Sequence, residues 1–386
     1  MSKLDELIKE LCPNGVEYKR LRDIATISRG GSFQKKDFTE HGIPCIHYGQ
    51  IYTRYGLSAD KTITYIDETA GEKAKYAEPN DIVMAVTSEN VNDVCKCVAW
   101  IGSEKVAVSG HTAIIHHNQN AKYLSYYFNS EYFYKQKIKL AHGTKVIEVM
   151  PDKLGDVKLP VPPLEVQREI VHILDSFTSL TAELTAELTA RKKQYEFYRN
   201  KMLTFDTKVT WKRLDEITNL FRGEYITKKS THEGTVPVIL GGQEPAYYID
   251  KSNHEGEIVV VARSGVSAGF VSYWNEQIFV TDGFGYEGKS ELIITKYLYY
   301  ILKNIEGTLN AMKRGAGVPH ISGEALSKIT LPIPQIAEQK RIVGILDRFD
   351  VLCNDLSNGL PAEIEARKKQ YEYYRDKLLT FKGLNE

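Results

Sequence analysis

Three short patterns in the sequence contain residue types that could do chemistry. The run Gly283–Ser290 matches the phosphate-binding pattern G-x-x-x-x-G-K-[ST], in which backbone N–H groups and a lysine hold nucleotide phosphates. Its glycines also satisfy G-x-G-x-x-G. Cys95 and Cys97, one residue apart, and the adjacent His116 and His117 are residue types that bind metal ions.

The context of each pattern argues against these chemistries. A phosphate cradle needs a helix that begins at Lys289, whereas Glu291–Thr295 is rich in β-branched residues and predicts a strand. The cysteines form no C-x-x-C pair, and neither a Ser-His-Asp triad nor the Asn/Asp-Pro-Pro-aromatic motif of amino-group methyltransferases is recognisable. We therefore expect no metal site and no catalysis. A nucleotide-hydrolysing enzyme that uses Gly283–Ser290 stays a secondary hypothesis.

The composition is typical of a globular protein. The chain has 386 residues, of which 42% are apolar and 26% are charged. No apolar run reaches the roughly 18 residues of a membrane helix, and the charged N-terminal segment lacks the apolar centre of a signal peptide. Five cysteines without disulfide-like spacing fit a reducing compartment, so we expect a cytoplasmic protein. Because 50 basic residues balance 50 acidic ones, any binding of nucleic acid must depend on local patches or on a partner.

The most informative feature is an internal duplication. The segment Leu159–Phe177 contains LPVP, a glutamine and IVHILDSF, and Leu331–Phe349 contains LPIP, a glutamine and IVGILDRF. ARKKQYEFYRNKMLTF, at Ala190–Phe205, returns as ARKKQYEYYRDKLLTF at Ala366–Phe381, and the second copy has four extra residues between the blocks. Fainter matches extend the repeat upstream. The chain therefore consists of two halves, each a variable module followed by a nearly constant segment.

The constant segments predict long amphipathic helices. In the first copy, apolar residues recur at alternating steps of three and four, as in a coiled coil. The tandem Thr-Ala-Glu-Leu repeat at Thr181–Leu188 keeps leucine on nearly one face, and each copy adds about 6 Å of helix. Asn358–Pro361 combines a helix stop with a proline suited to a helix start, so we expect a break in the second copy. We expect the two helices to pair antiparallel and to hold the modules apart.

The variable modules have the pattern of mixed folds rich in strands. Asp81–Val86 and Glu257–Ala262 are short β-branched runs typical of buried strands. Tyr123–Lys139 and Lys296–Asn304 predict helices, each followed by a basic loop that contains glycine. We therefore predict an α+β fold, in which two strand-rich domains are separated by two long antiparallel helices and related by a pseudo-two-fold duplication.

The duplicated motifs resemble the conserved regions of the specificity subunits of type I restriction–modification systems. The resemblance rests on L-P-[VI]-P…Q…I-V-x-I-L-D-x-F at the start of each helix and on ARKKQYE[FY]YR near its end. The tandem Thr-Ala-Glu-Leu also resembles the spacer repeat of that family, and the match spans the whole chain. The second copy departs from the pattern at one place: it has Gln335–Ala337 where the first copy has Pro163–Glu165. This difference concerns only the start of the helix.

The resemblance implies a division into four segments. These are a first target recognition domain at 1–156, a central conserved helical spacer at 157–206, a second target recognition domain at 207–328 and a C-terminal conserved helical spacer at 329–386. It also implies a subunit that recognises double-stranded DNA without catalysis, with each domain reading one part of a bipartite, asymmetric target. The number of Thr-Ala-Glu-Leu copies is then expected to set the gap between the parts.

The resemblance further implies the partners. The helices would bind two modification (methyltransferase) subunits, which carry S-adenosylmethionine and methylate adenine N6. Restriction subunits, which use ATP and Mg, would join in a system that cleaves unmodified DNA. No cofactor is expected in this chain. A coiled-coil scaffold that does not read DNA is the alternative hypothesis, disfavoured because a scaffold has no reason to vary its modules.

Under this interpretation, loops of the two modules supply the DNA contacts. Arginine and glutamine have the donor geometry for guanine and adenine edges, and lysine suits phosphate. Solvated loop charge is the alternative for the lysines, and a structural role is the alternative for Gln50 and Gln243, which occupy equivalent positions. The candidate DNA-binding residues are Ser32, Phe33, Gln34, Lys35, Lys36, Tyr48, Gln50, Arg54, Lys145, Tyr225, Lys228, Lys229, Gln243, Arg263 and Arg314.

Two aromatic and basic clusters near the helix ends are candidate partner-binding surfaces. Arg191–Lys193 and Arg367–Lys369 could bind phosphate or stay solvated, but interleaved tyrosines at helical spacing favour packing against protein. The candidate partner-binding residues are Tyr195, Tyr198, Tyr371 and Tyr374.

Overall fold

The chain forms two compact units. The computed structural model describes residues 2–206, 209–227, 231–242, 244–315 and 317–384. Unit 1 comprises Met1–Glu183 with Ile364–Glu386, and unit 2 comprises Leu184–Glu363. The division falls within the central helix, Leu164–Leu203, and within the C-terminal helix, Leu360–Leu378, so each unit contains a part of both helices.

Unit 1 contains two five-stranded sheets and two small strand pairs. The first sheet has the order Ala25–Arg29, Thr112–His117, Ile82–Ala85, Cys97–Trp100 and Ser58–Ala59, and the second has the order Phe38–Thr39, Thr64–Ile66, Ile43–Ile46, Val106–Val108 and Lys75–Ala77. The pairs join Tyr18–Arg20 to Lys158–Pro160 and Thr87–Ser88 to Ile147–Glu148. Several strands are buried throughout, which explains their continuous apolar sequence.

Short helices connect and cover these sheets. The unit begins with the N-terminal helix, Lys3–Leu11, which a capping box at Ser2 starts. The other helices before the central helix are Leu21–Ile24, Tyr48–Thr53, Glu68–Glu72, Ala121–Phe128, Glu131–Leu140 and Pro151–Leu154, with one 3₁₀ turn at Lys35–Asp37. The largest buried cluster joins the first sheet, the helices Ala121–Phe128 and Glu131–Leu140, and the first part of the central helix.

Unit 2 repeats this plan with fewer strands among its described residues. Its main sheet has the order Thr218–Arg222, Gly283–Gly288, Glu257–Ala262 and Val271–Asn275, and its second sheet has the order Tyr248–Ile249, Val236–Ile239 and Phe279–Val280. Thr210–Arg213 pairs with Thr330–Ile333. The helices are Leu214–Ile217, Thr295–Asn304, Glu306–Ala311, Gly323–Ser327 and the penultimate helix, Ile336–Asn354.

Each unit contains a pair of long helices held by stacked rings. In unit 1, Phe177 of the central helix stacks on Tyr374 of the C-terminal helix, with ring centroids 5.5 Å apart. In unit 2, Tyr198 stacks on Phe349 of the penultimate helix at 6.0 Å. Met202 lies later on the central helix than Tyr198, and it lines a groove with Arg341, which lies earlier on the penultimate helix than Phe349. The two helices are therefore antiparallel. The predicted α+β fold with duplicated domains and antiparallel long helices is confirmed.

Local expectations have mixed outcomes. The second constant segment is broken as predicted, because the penultimate helix ends at Asn354 and the C-terminal helix begins at Leu360. The single helix predicted at Tyr123–Lys139 is divided into two helices, Ala121–Phe128 and Glu131–Leu140. Ser130 lies between them and caps the second helix, because its hydroxyl accepts the Phe133 N–H. The strand predicted at Glu291–Thr295 is wrong, because the chain turns after Gly283–Gly288. The boundaries of the four predicted segments stay predictions.

Candidate nucleic-acid interface

In unit 1 a series of contacts around Tyr48 joins a helix, a strand and a turn. The Tyr48 N–H donates to Ser109 Oγ at 2.8 Å, and the Tyr48 ring lies 4.9 Å from the His111 ring. His111 Nδ1 is 3.3 Å from Thr87 Oγ1, and the Tyr52 hydroxyl donates to the Thr87 carbonyl at 2.7 Å. The helix Tyr48–Thr53 is thereby held against the turn that carries Ser109 and His111 and against the strand Thr87–Ser88, which brings polar and aromatic side chains together.

Lys35 adds positive charge close to these side chains. His47 accepts the Gly49 N–H and so caps the helix that Tyr48 begins. Burial, together with the charges of Lys35 and His111, lowers the pKa of His47. His47 is therefore neutral at pH 7, and it supports Tyr48 from beneath while Lys35 faces solvent nearby.

The loop that carries Lys35 is anchored by an aromatic residue. Phe33 is buried and packs in a cluster with Cys45 and Ile66. Contrary to the prediction, Phe33 is therefore unavailable for a DNA contact, because its ring belongs to the core of the unit. Its neighbours at the surface are Ser32, Gln34, Lys35 and Lys36, whose contacts with DNA stay predictions.

Gln50 has a structural role. Its Oε1 accepts the His47 N–H at 3.2 Å, and its Nε2 donates to Thr64 Oγ1 at 3.1 Å. These bonds use both ends of the amide, which supports the structural alternative over adenine recognition. Arg54, at the end of the same helix, is exposed. Its role in binding DNA stays a prediction.

Both units carry the same glycine-hinged loop next to the candidate residues. Each loop is closed by a reciprocal pair of backbone hydrogen bonds of 2.9 and 3.0 Å, and each turns at a glycine with φ of +107°. Left-handed backbone of this kind favours glycine over residues with a Cβ atom. The closing pairs are His142 with Glu148 and Arg314 with His320, and the hinge glycines are Gly143 and Gly315.

The tips of these two loops combine an apolar side chain with nearby positive charge. Val146 is 57% exposed and Val318 is 68% exposed, and the two valines occupy equivalent positions in the two loops. Lys145 precedes the first valine and is exposed, and Arg314 lies at the base of the second loop and is also exposed. Such a tip can contact both a thymine methyl group and the phosphate backbone.

In unit 2 the loop of Arg263 is fixed to the glycine-hinged loop. The Ile321 N–H donates to the Arg263 carbonyl at 2.9 Å, and Lys313 Nζ donates to the Val266 carbonyl at 2.6 Å. The exposed side chains of Arg263 and Arg314 therefore lie on neighbouring, mutually supported loops. Tyr225 is 89% exposed and follows the strand Thr218–Arg222 of the main sheet of unit 2. Lys228, Lys229 and Gln243 lie outside the described residues.

The four candidate partner-binding tyrosines pack largely within their own units. Tyr195 is buried against Phe349, and its burial raises its pKa to about 12. Tyr371 contacts the Tyr126 ring at 6.4 Å. Tyr198 and Tyr374 stack as described above and leave one edge accessible. Their binding to a partner stays a prediction.

Two buried glutamines that the sequence did not single out as functional attach the modules to the long helices. In unit 1, Gln167 Nε2 donates to the Pro162 carbonyl and to Gln119 Oε1, both at 2.8 Å, and Gln167 Oε1 accepts the Asn120 N–H at 3.0 Å. Both glutamines are present in the repeated motif, so their recurrence in the sequence could have indicated a shared role. His111 and Thr87 gave no comparable signal, because only the fold brings them to Tyr48.

Gln339 repeats the arrangement in unit 2. Its Nε2 donates to the carbonyls of Pro334 and Leu292, and its Oε1 accepts the Ile294 N–H at 2.9 Å. A tyrosine–aspartate hydrogen bond accompanies each glutamine, with Tyr126 donating to Asp175 and Tyr300 donating to Asp347.

The patterns that suggested nucleotide or metal chemistry have structural roles. Gly283–Gly288 is a strand in the middle of the main sheet of unit 2, and Lys289 Nζ donates to the Glu216 carbonyl at 2.9 Å. No helix begins at Lys289, so the backbone N–H groups that hold phosphate are not aligned there. Burial raises the pKa of both Cys95 and Cys97 to about 12.

In the part of the chain that the structure describes, no group of three or more His, Cys, Asp or Glu residues is arranged to hold a metal ion. No helix there is long and apolar enough to cross a membrane.

Comparison with protein families gives a match in both halves of the chain. The family model of the type I restriction modification DNA specificity domain matches residues 13–191 and again residues 208–366. The type I restriction enzyme EcoR124I/EcoR124II specificity subunit of Escherichia coli is 32% identical over 382 residues, which cover 89% of this chain and 91% of that protein. A putative type I restriction enzyme specificity subunit of Haemophilus influenzae is 32% identical over 306 residues, covering 73% of this chain and 76% of that protein.

Solved structures share the fold at lower sequence identity. The S subunit of a type I restriction–modification system from M. genitalium aligns with a TM-score of 0.62 and 16% identity, covering 95% of this chain and 96% of that one. The S subunit from Thermoanaerobacter tengcongensis aligns with a TM-score of 0.54 and 16% identity, covering 95% and 97%. At these identities the likeness concerns the fold.

Proposed function

The chain belongs to the family of type I restriction–modification DNA specificity subunits, and we propose that its two units read the two parts of a bipartite, asymmetric DNA target. It is a DNA sequence-recognition subunit of such a system and not its catalyst.

One observation carries the proposal: equivalent scaffolds hold different loops. The glutamine anchors and the glycine hinges recur in both units with nearly the same distances. The loop tips differ, with Lys145 of unit 1 at the position of Gly317 in unit 2. Two modules that keep the same attachments but differ in sequence, loop tips included, are suited to two different DNA sequences separated by an unread gap.

The exposed side chains suggest how each unit reads DNA. Arg263 and Arg314 have the bidentate geometry for guanine O6 and N7. Lys35, Lys36 and Lys145 suit phosphate oxygens, and the exposed valines suit thymine methyl groups. Because the formal net charge is +0, the chain alone should bind DNA weakly, and its partners should supply much of the salt-sensitive affinity.

The partners follow from the family. We assign two modification subunits to the conserved helices, with S-adenosylmethionine bound in those subunits and adenine N6 as the methylated position. Restriction subunits, with ATP and Mg, join them in a system that also cleaves. We place the assembly in the cytoplasm.

Selection from a random DNA library tests the proposal on binding alone. The chain, assembled with its modification subunits, is incubated with randomised duplexes, and the retained molecules are sequenced. Two fixed sequence blocks with a random gap of constant length are expected. Retention of duplexes without a common sequence would instead favour the scaffold hypothesis.

A further inference from the structure

An open groove lies along the long helices of unit 2. It is formed by the end of the central helix and the start of the penultimate helix, and it has a volume of about 700 Å³. Its floor is apolar, with Met202, Phe205 and Ile345, and its rim carries the cationic groups of Lys201 and Arg341. Arg341 is held in place by a two-pronged ion pair with Glu338.

The repeat places an equivalent groove in unit 1. Sequence equivalence pairs Met202 with Leu378, Phe205 with Phe381 and Ile345 with Ile173. All three residues of unit 1 pack against the main core cluster of that unit. The floor of the groove is therefore apolar in both units.

In unit 1 this groove is filled by the N-terminal helix. Leu4 is buried there, and Leu7 and Ile8 pack against the same core cluster as Leu378 and Phe381. Its apolar residues at steps of three and four form the stripe that an amphipathic helix presents to a groove. The chain thus contains, in one repeat, a ligand for a groove that is open in the other.

Charged contacts fix the N-terminal helix on the rim. Lys3 forms an ion pair with Glu169 of the central helix. Asp5 has a lowered pKa chiefly because of its hydrogen bonds with Ser2, and the charge of Lys377 contributes as well. In the filled groove Glu169 is therefore paired with Lys3, and the positive charge of Lys377 acts on Asp5 of the same helix.

The rim of the open groove differs from the filled one at one decisive position. Arg341 occupies the position equivalent to Glu169. The Glu169 side chain is only 11% exposed beneath the N-terminal helix, whereas the Arg341 side chain is 55% exposed. A second copy of the N-terminal helix would place Lys3 against Arg341, which like-charge repulsion disfavours.

We propose that the open groove of unit 2 binds one amphipathic helix of a modification subunit, seated as the N-terminal helix is seated in unit 1. That helix has apolar residues at steps of three and four, and carboxylates that face Arg341 and Lys201. The assignment rests on the proposed function, which supplies the class of partner. Because the N-terminal helix already fills the groove of unit 1, the two repeats are unequal as binding sites for the modification subunits.

Charge reversal on the rim tests this proposal in the full chain. Arg341→Glu and Lys201→Glu each change one exposed rim charge, and Arg348→Glu is the matched control, because Arg348 is exposed on the same helix but does not line the groove. The Kd of the first modification subunit is measured by titration and the stoichiometry by native mass spectrometry. We expect each rim variant to weaken binding about tenfold or more, and the control to change it by less than about twofold.

A second measurement tests the seating directly. A labelled peptide of residues 2–13 is titrated against the wild-type chain and against Arg341→Glu, which restores the carboxylate that Lys3 meets in unit 1. We expect about fivefold tighter binding to the variant. The proposal would be overturned if the peptide bound the wild-type chain and Arg341→Glu with equal affinity. It would also be overturned if the rim variants bound the modification subunit as tightly as Arg348→Glu does.

The outcomes also separate this inference from the proposed function. If the wild-type chain does not assemble with a modification subunit at all, the proposed function fails together with the inference. If the wild-type chain assembles and the rim variants match the control, only the groove assignment fails.

Discussion

Gln167 and Gln339 occupy the same position in the two repeats and make equivalent sets of three hydrogen bonds, although the modules that they support share little sequence. Each is fully buried at the start of a long helix. Each donates once to its module and once to the carbonyl of a proline just before its own helix, and each accepts one backbone N–H from the module. The constant helix and the variable module are therefore joined in the same way in both units, which allows the loops to diverge without changing their attachment.

The first prediction concerns this attachment. Gln339→Ala leaves the Ile294 N–H and two carbonyls without their partner in a buried site. The free energy of unfolding of unit 2 should fall by about 3 kcal/mol, because each lost partner costs a full desolvation penalty. Chemical denaturation followed by fluorescence measures this loss. Lys340→Ala, at the exposed neighbouring position, is the control and should be nearly neutral.

The second prediction concerns pH. Burial lowers the pKa of His117 from 6.5 to about 4 in the folded chain, and its Nε2 has no hydrogen-bond partner. Between these values the unfolded state binds more protons than the folded state, so stability falls as the pH is lowered from 6.5 to 4. The contribution of His117 to this loss is about 3 kcal/mol.

His117→Asn removes the titrating group while retaining an acceptor for the Gln119 N–H. Thermal unfolding between pH 7 and pH 4 should therefore show a flatter pH dependence in the variant than in the wild-type chain. His41→Asn, at an exposed position, is the control. Parallel curves for wild type and His117→Asn would contradict the account of the buried imidazole.

Much of the fold could be predicted from the sequence, because the duplication and the helical periodicity are local signals. The break at Asn358–Pro361 and the strand at Glu257–Ala262 are examples. The error at Glu291–Thr295 has a physical cause: strand propensity reflects side-chain packing and burial, and Ile293 is buried in the core although the sheet has already ended at Gly288.

The site was less predictable, because side-chain roles depend on contacts distant in the chain. Phe33 is in an expected loop, whereas Gln50 lies in the helix Tyr48–Thr53 where a loop was expected, and both side chains face inward to core and backbone partners. His111 and Thr87 reach Tyr48 only through the pairing of strands. Sequence spacing indicated candidate segments, whereas burial decides which of their residues are exposed.

The third prediction concerns the phosphate-binding pattern. Lys289→Ala should leave the recognised DNA sequence unchanged, because the Lys289 ammonium donates to the Glu216 carbonyl and Lys289 is not among the candidate DNA-binding residues. Sequencing of DNA selected by the assembled variant measures this. An ATPase activity of the isolated wild-type chain that is lost in Lys289→Ala would contradict the interpretation that Gly283–Ser290 does not bind nucleotide.

The fourth prediction separates base recognition from phosphate binding. Arg263→Ala should relax the sequence of only the half-site that unit 2 reads, at a cost of about 1–3 kcal/mol. Lys145→Ala should weaken binding evenly across sequences and reduce the dependence of log K on log salt by about 1. Salt titrations of the assembled complex on matched duplexes distinguish the two. Identical behaviour of both variants would mean that these loops do not divide their roles in this way.

The fifth prediction concerns the tandem repeat in the central helix. Thr181–Leu188 is continuous helix, with Leu184 and Leu188 half-buried. Deleting Thr185–Leu188 removes about one helical turn and keeps the remaining leucines nearly in register. The unread gap of the DNA target should become shorter while both half-site sequences stay the same. A change in either half-site sequence would show that the helix does more than set the spacing.

Genome-wide mapping of N6-methyladenine tests the central claim most directly. The chain is co-expressed with its modification subunits in a host free of adenine methylation, and modified positions are read by single-molecule sequencing. The account predicts one bipartite motif, with a modified adenine in each half and on opposite strands. An assembled, cofactor-loaded complex that methylates no defined motif would contradict the claim that the two units read DNA.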